Sequence, residues 1–278
     1  MKNLNNFFIS CKKSQFENTN NLYGCFYIGP FKTGQSLTLA NALRRTLLSE
    51  ISGIAIDSVY IEGVDHEYCS LKGVNESILD ILLNLKEIVF KSISLFSKPL
   101  IGYLQCSGPG IIRAFHLKLP SNIQCVNPEQ YIATLAYDGK LNLKCLISTG
   151  FQYSTKTPKQ IQQFTNREKK FDSLTSKTPL TLDPVFNPIK RVNYTIESSN
   201  FHFFTENKNS LKKDILILEI WTNGSIHPRE ALLQSISNLN LLFSSLSEME
   251  LVQKSNSIRN SNQNIRSLLS KMKLQYKL

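Results

Sequence analysis

The chain has 278 residues, 41% of them hydrophobic, and a formal net charge of +11. That length allows one large domain or two small ones, each with its own core, and no apolar run approaches the ~18 residues of a membrane-spanning helix. A basic balance points to an anionic partner, yet Lys254, Arg259, Arg266, Lys271, Lys273 and Lys277 all lie in 251–278, which contains no Asp or Glu. The alternative reading of that tail is a solvated helix or a frayed end.

The first 21 residues are rich in Asn and Lys and weakly periodic. Their apolar core, Phe7-Phe8-Ile9, is shorter than the roughly 7–15 residues of a secretory signal, and the start carries no arginine, so no targeting segment is expected. Residues 22–31 read as a strand closed by Gly29-Pro30. A helix follows. Leu39, Leu43 and Leu47 recur every four residues, and Gly53 can stop it. Ile54 to Glu62 reads as a strand ending at Gly63. Asn75 is the expected N-cap of a second helix, whose apolar face is Ile78, Ile81, Leu82, Leu85 and Val89.

Residues 100–150 read as β structure. Asp138-Gly139 is a hairpin signal between 130–137 and 140–147, with Leu141, Leu143 and Cys145 alternating against Asn142 and Lys144. Residues 152–178 read as a polar surface loop. From Leu182 to Ile196 the prolines predict an extended, irregular path. Ile215–Trp221 is a continuous apolar strand, expected to be buried on both faces, and Asn223-Gly224 turns it. Pro228 suits the first position of a third helix, with His227 as its cap. Leu232, Ile236, Leu239, Phe243 and Leu246 form its apolar stripe, widened by Leu233 and Leu242. So broad a stripe asks for more than one neighbour, and a subunit partner fits.

No catalytic constellation stands out. Nucleophile-elbow, zinc-protease and Walker motifs are missing, and Ser107-Gly-Pro-Gly110 lacks the spacing and lysine of a phosphate loop. Glu62, Asp65 and Glu67 surround His66, where a polar turn outweighs a metal site. The six cysteines form no C-x-x-C pair and read as reduced thiols, so no metal centre is expected. The chain reads as a binder or scaffold. Arg44-Arg45, set in a leucine-rich helix, diverge by about 100°. A planar, multi-donor guanidinium beside Leu48 is good material for an interface anchor; a solvated helix face is the plain alternative.

Leu39-Ala-Asn-Ala-Leu-Arg-Arg-Thr-Leu-Leu-Ser49 resembles the signature of the α subunit of bacterial-type RNA polymerase. Four further stretches resemble it in the same order: Ile61–Tyr68 with Gly73-Val74 and Ile81–Lys86, Ser107–Gly110, Asp183–Tyr194, and Thr222–Leu232. The resemblance implies an α+β fold in two parts. A dimerisation domain, helices packed on a sheet, would combine 1–53 with 180–250. A mostly β domain, 54–179, would be inserted between them, with 251–278 as a basic tail. It also implies a homodimer built on Leu39, Leu43, Leu47, Leu232, Ile236, Leu239 and Phe243. One copy would receive the β subunit through Arg44, Arg45, Leu48, His66, Glu67 and Lys86. The other would receive β′ near Pro184, Lys190 and Arg191.

Bacterial members carry a glycine at the position of Ala40 and an aromatic at that of Gln35, and they continue into a small DNA-binding domain. The 28 residues after Glu250 are fewer than the ~40 a lone domain needs, so upstream-DNA binding is not expected, and DNA is met only through the complex. No cofactor is expected in this chain; Mg²⁺ would sit in the catalytic partner subunits. The Lys, Asn, Ile and Ser bias points to a plastid-encoded subunit in the chloroplast stroma, a bacterial cytoplasm being the alternative. The rival readings are a free-standing basic nucleic-acid-binding protein and a metabolic enzyme.

Overall fold

In a computed structural model the residues described are 7–17, 20–93, 96, 98–151, 179–199 and 213–247; the loop expected at 152–178 and the tail lie outside them. Two hydrophobic clusters organise these residues. The first gathers Phe26, Leu43, Leu47, Val192, Leu218 and Leu232 from both ends of the chain. The second gathers residues between Ile56 and Leu182, such as Val59, Leu85, Ile132 and Leu143.

The first lobe is an antiparallel sheet in the order β1-β2-β12-β11, from Phe8–Phe16, Leu22–Lys32, Lys213–Thr222 and Ile189–Ser199. Strand β2 does not stop at Gly29-Pro30: it runs on to Lys32 through a cis peptide. Two helices cover one face of the sheet, α1 (Gln35–Ser49) and α3 (residues 228–247). Gly34, at φ 89°, caps α1, a backbone conformation that favours glycine. The stripe that α1 buries is Ser36, Ala40, Leu43 and Leu47, with Thr46; Leu39 is only partly buried at its rim. Small side chains at 36 and 40 let the helix sit close, and the Ser36 hydroxyl donates to the buried Asp214 carboxylate at 3.0 Å. Helix α1 ends at Glu50, before Gly53. Gly53 instead lies in strand β3 (Ser52–Ile61), where an added Cβ would meet the Phe186 carbonyl oxygen at 1.6 Å.

The central strand β12 alternates: Asp214, Leu216, Leu218, Ile220 and Thr222 are buried, while Ile215, Ile217, Glu219 and Trp221 are half-buried. The expectation of two buried faces therefore fails. Its second face carries a shallow groove of about 350 Å³ lined by Lys12, Lys13, Tyr23, Tyr27, Glu197 and Glu219, among others. Among the described residues no element stacks on that face, and the strand's residues there are half-buried. Asn223-Gly224 turns the chain, with Gly224 at φ 88°. Pro228 starts α3, and His227 accepts the Arg229 N–H through Nδ1 at 3.2 Å, as a cap does.

In the second lobe the main sheet runs β10-β3-β9-β5, from Leu180–Thr181, β3, Lys140–Phe151 and Leu100–Ser107. Leu141, Leu143 and Cys145 point inward as expected, and burial pushes the Cys145 thiol up to about 12. The hairpin at Asp138-Gly139 does not form. Strand β8 (Tyr131–Leu135) pairs with β6 (Gly110–Arg113), while β9 lies between β3 and β5. The turn serves another contact: the Gly73 carbonyl accepts from Ala136 N–H at 2.8 Å, and that of Gly139 from Gly108 N–H at 2.8 Å. Helix α2 (Ile78–Lys86) buries Ile78, Ile81, Leu82 and Leu85. Its cap is Ser77, in a reciprocal pair with Asp80, and not Asn75, whose N–H is taken by the Thr134 carbonyl. The helix ends at Lys86, which leaves Val89 outside it. A short pair, β4 (Phe90–Ser92) with β7 (Ile123–Cys125), completes the lobe.

Candidate subunit interfaces

Arg44 and Arg45 are both exposed on α1. Helical spacing puts Arg44 in line with Leu37, Asn41 and Leu48. That line faces the β11 edge: Tyr194 donates its hydroxyl to Asn41 at 2.9 Å, and Asn187 donates its amide to the Leu48 carbonyl at 3.2 Å. The structure thus joins Leu48 directly to the segment ahead of β11. Arg45 points away from this line, its carbonyl accepting the Ser49 hydroxyl at 2.8 Å.

In that segment Pro184 is buried, while Asp183 and Val185 on either side of it are exposed. The chain packs Pro184 and Phe186 inward on alternate positions, so Pro184 has no surface left for a partner. Lys190 and Arg191 are exposed. The Lys190 ammonium donates to Asn21 at 2.7 Å, and the Arg191 guanidinium sits 5.0 Å over the Trp221 ring. Irregular path gives way to strand at Ile189, earlier than the prolines implied.

His66, Glu67 and Lys86 belong to the second lobe. His66 is exposed, and the Cys69 sulfur lies 3.4 Å from its ring nitrogens. Glu67 holds the phenol of the exposed Tyr68 above its ordinary range by a hydrogen bond and by its charge. Lys86 sits in the last turn of α2, where a cation complements the carbonyl end. The exposed face of that helix shows Leu79 and Leu83.

The residues expected at a dimer interface divide. Leu43, Leu47 and Leu232 are no more than 1% exposed, inside the lobe's own core. They cannot meet a second copy, because the helices first close on their own sheet. Leu39, Ile236 and Leu239 are partly buried against that core. Phe243 is free, together with Leu233, Leu241, Leu242 and Leu246. Residues 241–247 of α3 are all exposed. Among the described residues, no group of three His, Cys, Asp or Glu side chains is arranged to hold a metal ion, and no helix is long and apolar enough to cross a membrane. All six cysteines are free thiols.

Residues 59–187 match the RNA polymerase Rpb3/RpoA insert domain, which identifies the second lobe as that of a multisubunit RNA polymerase component. Over nearly the whole chain the similarity is to α subunits. The DNA-directed RNA polymerase subunit alpha of Tetradesmus obliquus is 38% identical over 90% of this chain and 70% of its own length. That of Trichormus variabilis is 39% identical over 88% of this chain and 72% of its own length. That of Chaetosphaeridium globosum is 43% identical over 89% and 67%. The chain belongs to the family of α subunits of DNA-directed RNA polymerase. It is thus a component of a transcribing nucleotidyltransferase complex of plastid or bacterial type.

Proposed function

We propose that this subunit acts as a homodimer on which the β and β′ subunits assemble, in the stroma of a plastid. The observation that carries the reading is the bare end of α3, where Leu241, Leu242, Phe243 and Leu246 are 48–67% exposed. Four large apolar residues on two helical turns are costly in water, at about 25 cal/mol per Å² of apolar surface, and a second copy would cover them. One copy then offers Arg44, Arg45, Leu48 and the turn at His66 and Glu67, with Lys86, to β. Its twin offers Lys190, Arg191 and the exposed Val185 turn to β′. The first docking event breaks the equivalence of the two copies. Nucleotidyl transfer and its Mg²⁺ belong to the larger subunits, and this chain contributes position rather than chemistry.

The test uses the full chain with its partner. Arg45→Ala should leave the dimer intact by light scattering and weaken β capture by about 2 kcal/mol, as for an interface anchor. Normal recovery of β with that variant would remove Arg45 from the interface. A monomer at micromolar concentration would overturn the assembly reading as a whole.

A further inference from the structure

The end of α1 carries Arg45 and Leu48. The last carbonyls of a helix have no partners within it, and a glycine in the left-handed region or a cation in the last turn commonly satisfies them. Helix α1 ends without either. Glu50, which follows it, sits at φ −113°, and the last turn, Thr46-Leu-Leu-Ser49, contains no basic residue. Two local bonds form there: Ser49 donates its hydroxyl to the Arg45 carbonyl, and the Glu50 N–H donates to that of Thr46, each at 2.8 Å. The carbonyls of Leu48 and Glu50 are met from elsewhere. Asn187 donates to the first at 3.2 Å, and Asn238 of α3 donates to the second at 3.3 Å.

The neighbours of Asn187 place it for this bond. Its own side-chain oxygen accepts the Ile189 N–H at 3.0 Å, which leaves the amide nitrogen for α1. On one side the Phe186 carbonyl presses on Gly53 of β3, and the Phe186 ring lies against Gly150 of β9. On the other side the Pro188 carbonyl accepts the Asn223 N–H at 3.0 Å, at the turn after β12. Three consecutive residues thus meet the second lobe, the end of α1 and the turn that leads to α3. A side chain already fixed on both flanks loses little further freedom in making its bond, so its amide can hold a helix end in place.

We propose that Asn187, assisted by Asn238, is a positioning residue for capture of the β subunit: it fixes the last turn of α1 so that Arg45 and Leu48 are presented together. This rests on the reading of those two residues as β anchors and adds what sets their geometry. Asn187 bonds the carbonyl of an anchor itself, whereas Asn238 bonds that of a residue past the helix. The first therefore acts more directly.

The test removes one donor at a time in the full chain. Asn187→Asp keeps the size of the side chain and the oxygen that accepts from Ile189, and loses the bond to Leu48. It should lower the affinity for β about fivefold, the weight of one hydrogen bond, with the dimer unchanged by light scattering. Asn238→Asp should act the same way to a smaller extent. In the free protein, amide hydrogen exchange of residues 46–50 should quicken in Asn187→Asp, while that of α2 stays as it was. With Arg45→Ala and Leu48→Ala already present, Asn187→Asp should cost less than about twofold more, because the anchors it positions are gone. Unchanged β affinity in Asn187→Asp, or exchange at 46–50 as slow as in the native chain, overturns the proposal. So does a further loss of about fivefold on top of the two alanines, which would mark a direct contact or a general loss of structure. Asn187→Ser keeps an acceptor for Ile189 but is too short to reach Leu48, and it brings no charge to the helix end. It should reproduce the loss, and native β affinity in that variant also overturns the proposal. If Arg45→Ala with Leu48→Ala itself retains full β affinity, the anchor reading fails and this one with it.

Discussion

The two lobes spend similar hydrophobic material differently. In the second lobe the core closes on itself: α2 seals β3 and β8, and Ile78, Ile81 and Leu85 are fully buried. In the first lobe the sheet and two helices bury their centre, then leave the end of α3 and the whole of β1 in the open. The lesson is that burial within a chain and burial within an assembly need different residues. A leucine that holds the protomer together cannot also hold its neighbour.

That division is open to direct test, and the largest effect is expected at its clearest pair. Leu85→Ala should cost the chain about 3 kcal/mol or more in urea unfolding, a transfer term plus a cavity, with self-association unchanged. Phe243→Ala should change protomer stability by less than about 0.5 kcal/mol. It should move the dimer–monomer midpoint to roughly tenfold higher concentration, about 1.4 kcal/mol, by light scattering. A reversal of the two outcomes would break the comparison.

A smaller effect is expected where the lobes meet. Gly53 faces the Phe186 carbonyl, and Gly150 faces the Phe186 ring, where an added Cβ would come within 2.7 Å. Gly53→Ala forces the two backbones apart, an overpacking cost of about 2–3 kcal/mol. Unfolding by fluorescence and by circular dichroism should still coincide if the lobes unfold together; separate transitions would mark each lobe as an independent unit.

Much of this was legible in sequence because periodicity reports burial. The stripe of α2, the alternation of β9 and the Pro228 start of α3 all follow from it. What stayed hidden has physical causes. Strand β1 is hard to read from sequence because the bulge at Lys12 breaks its alternation and because every one of its residues is exposed. The hairpin at Asp138-Gly139 was misread because a turn signal fixes a change of direction, not the identity of the strand's partner. Asn75 reads as a cap because its residue type suits the role; what excludes it is the Thr134 carbonyl, distant in sequence, which takes its N–H. At the interfaces, helical phase identified an apolar stripe on α3 but not where the chain's own core ends along it. That boundary falls between Leu239 and Leu241 and separates Leu232 from Phe243.

The smallest effect is expected inside the self-contained lobe, at Glu76. Burial alone would push its carboxyl up, but the Thr134 N–H donates to it at 2.7 Å and the Tyr131 hydroxyl donates to its other oxygen, and these bring it below the ordinary 4.5. The carboxylate thereby ties the entry of α2 to β8. Its folded-state value is depressed, so its stabilisation is complete above the unfolded-state value. As pH falls, the unfolded chain takes up the proton first, and the stabilisation is lost on passing through the lower folded value. Glu76→Gln keeps the shape and loses the charge-assisted bonds, for about 1.5 kcal/mol at neutral pH. As the pH falls from neutral through and below 4.5, the gap between the native chain and the variant should close, as read by urea unfolding at each pH. A gap that stays constant with pH would assign the loss to packing rather than to the carboxylate. Dimerisation should be untouched throughout, since Glu76 lies in the lobe whose core is closed.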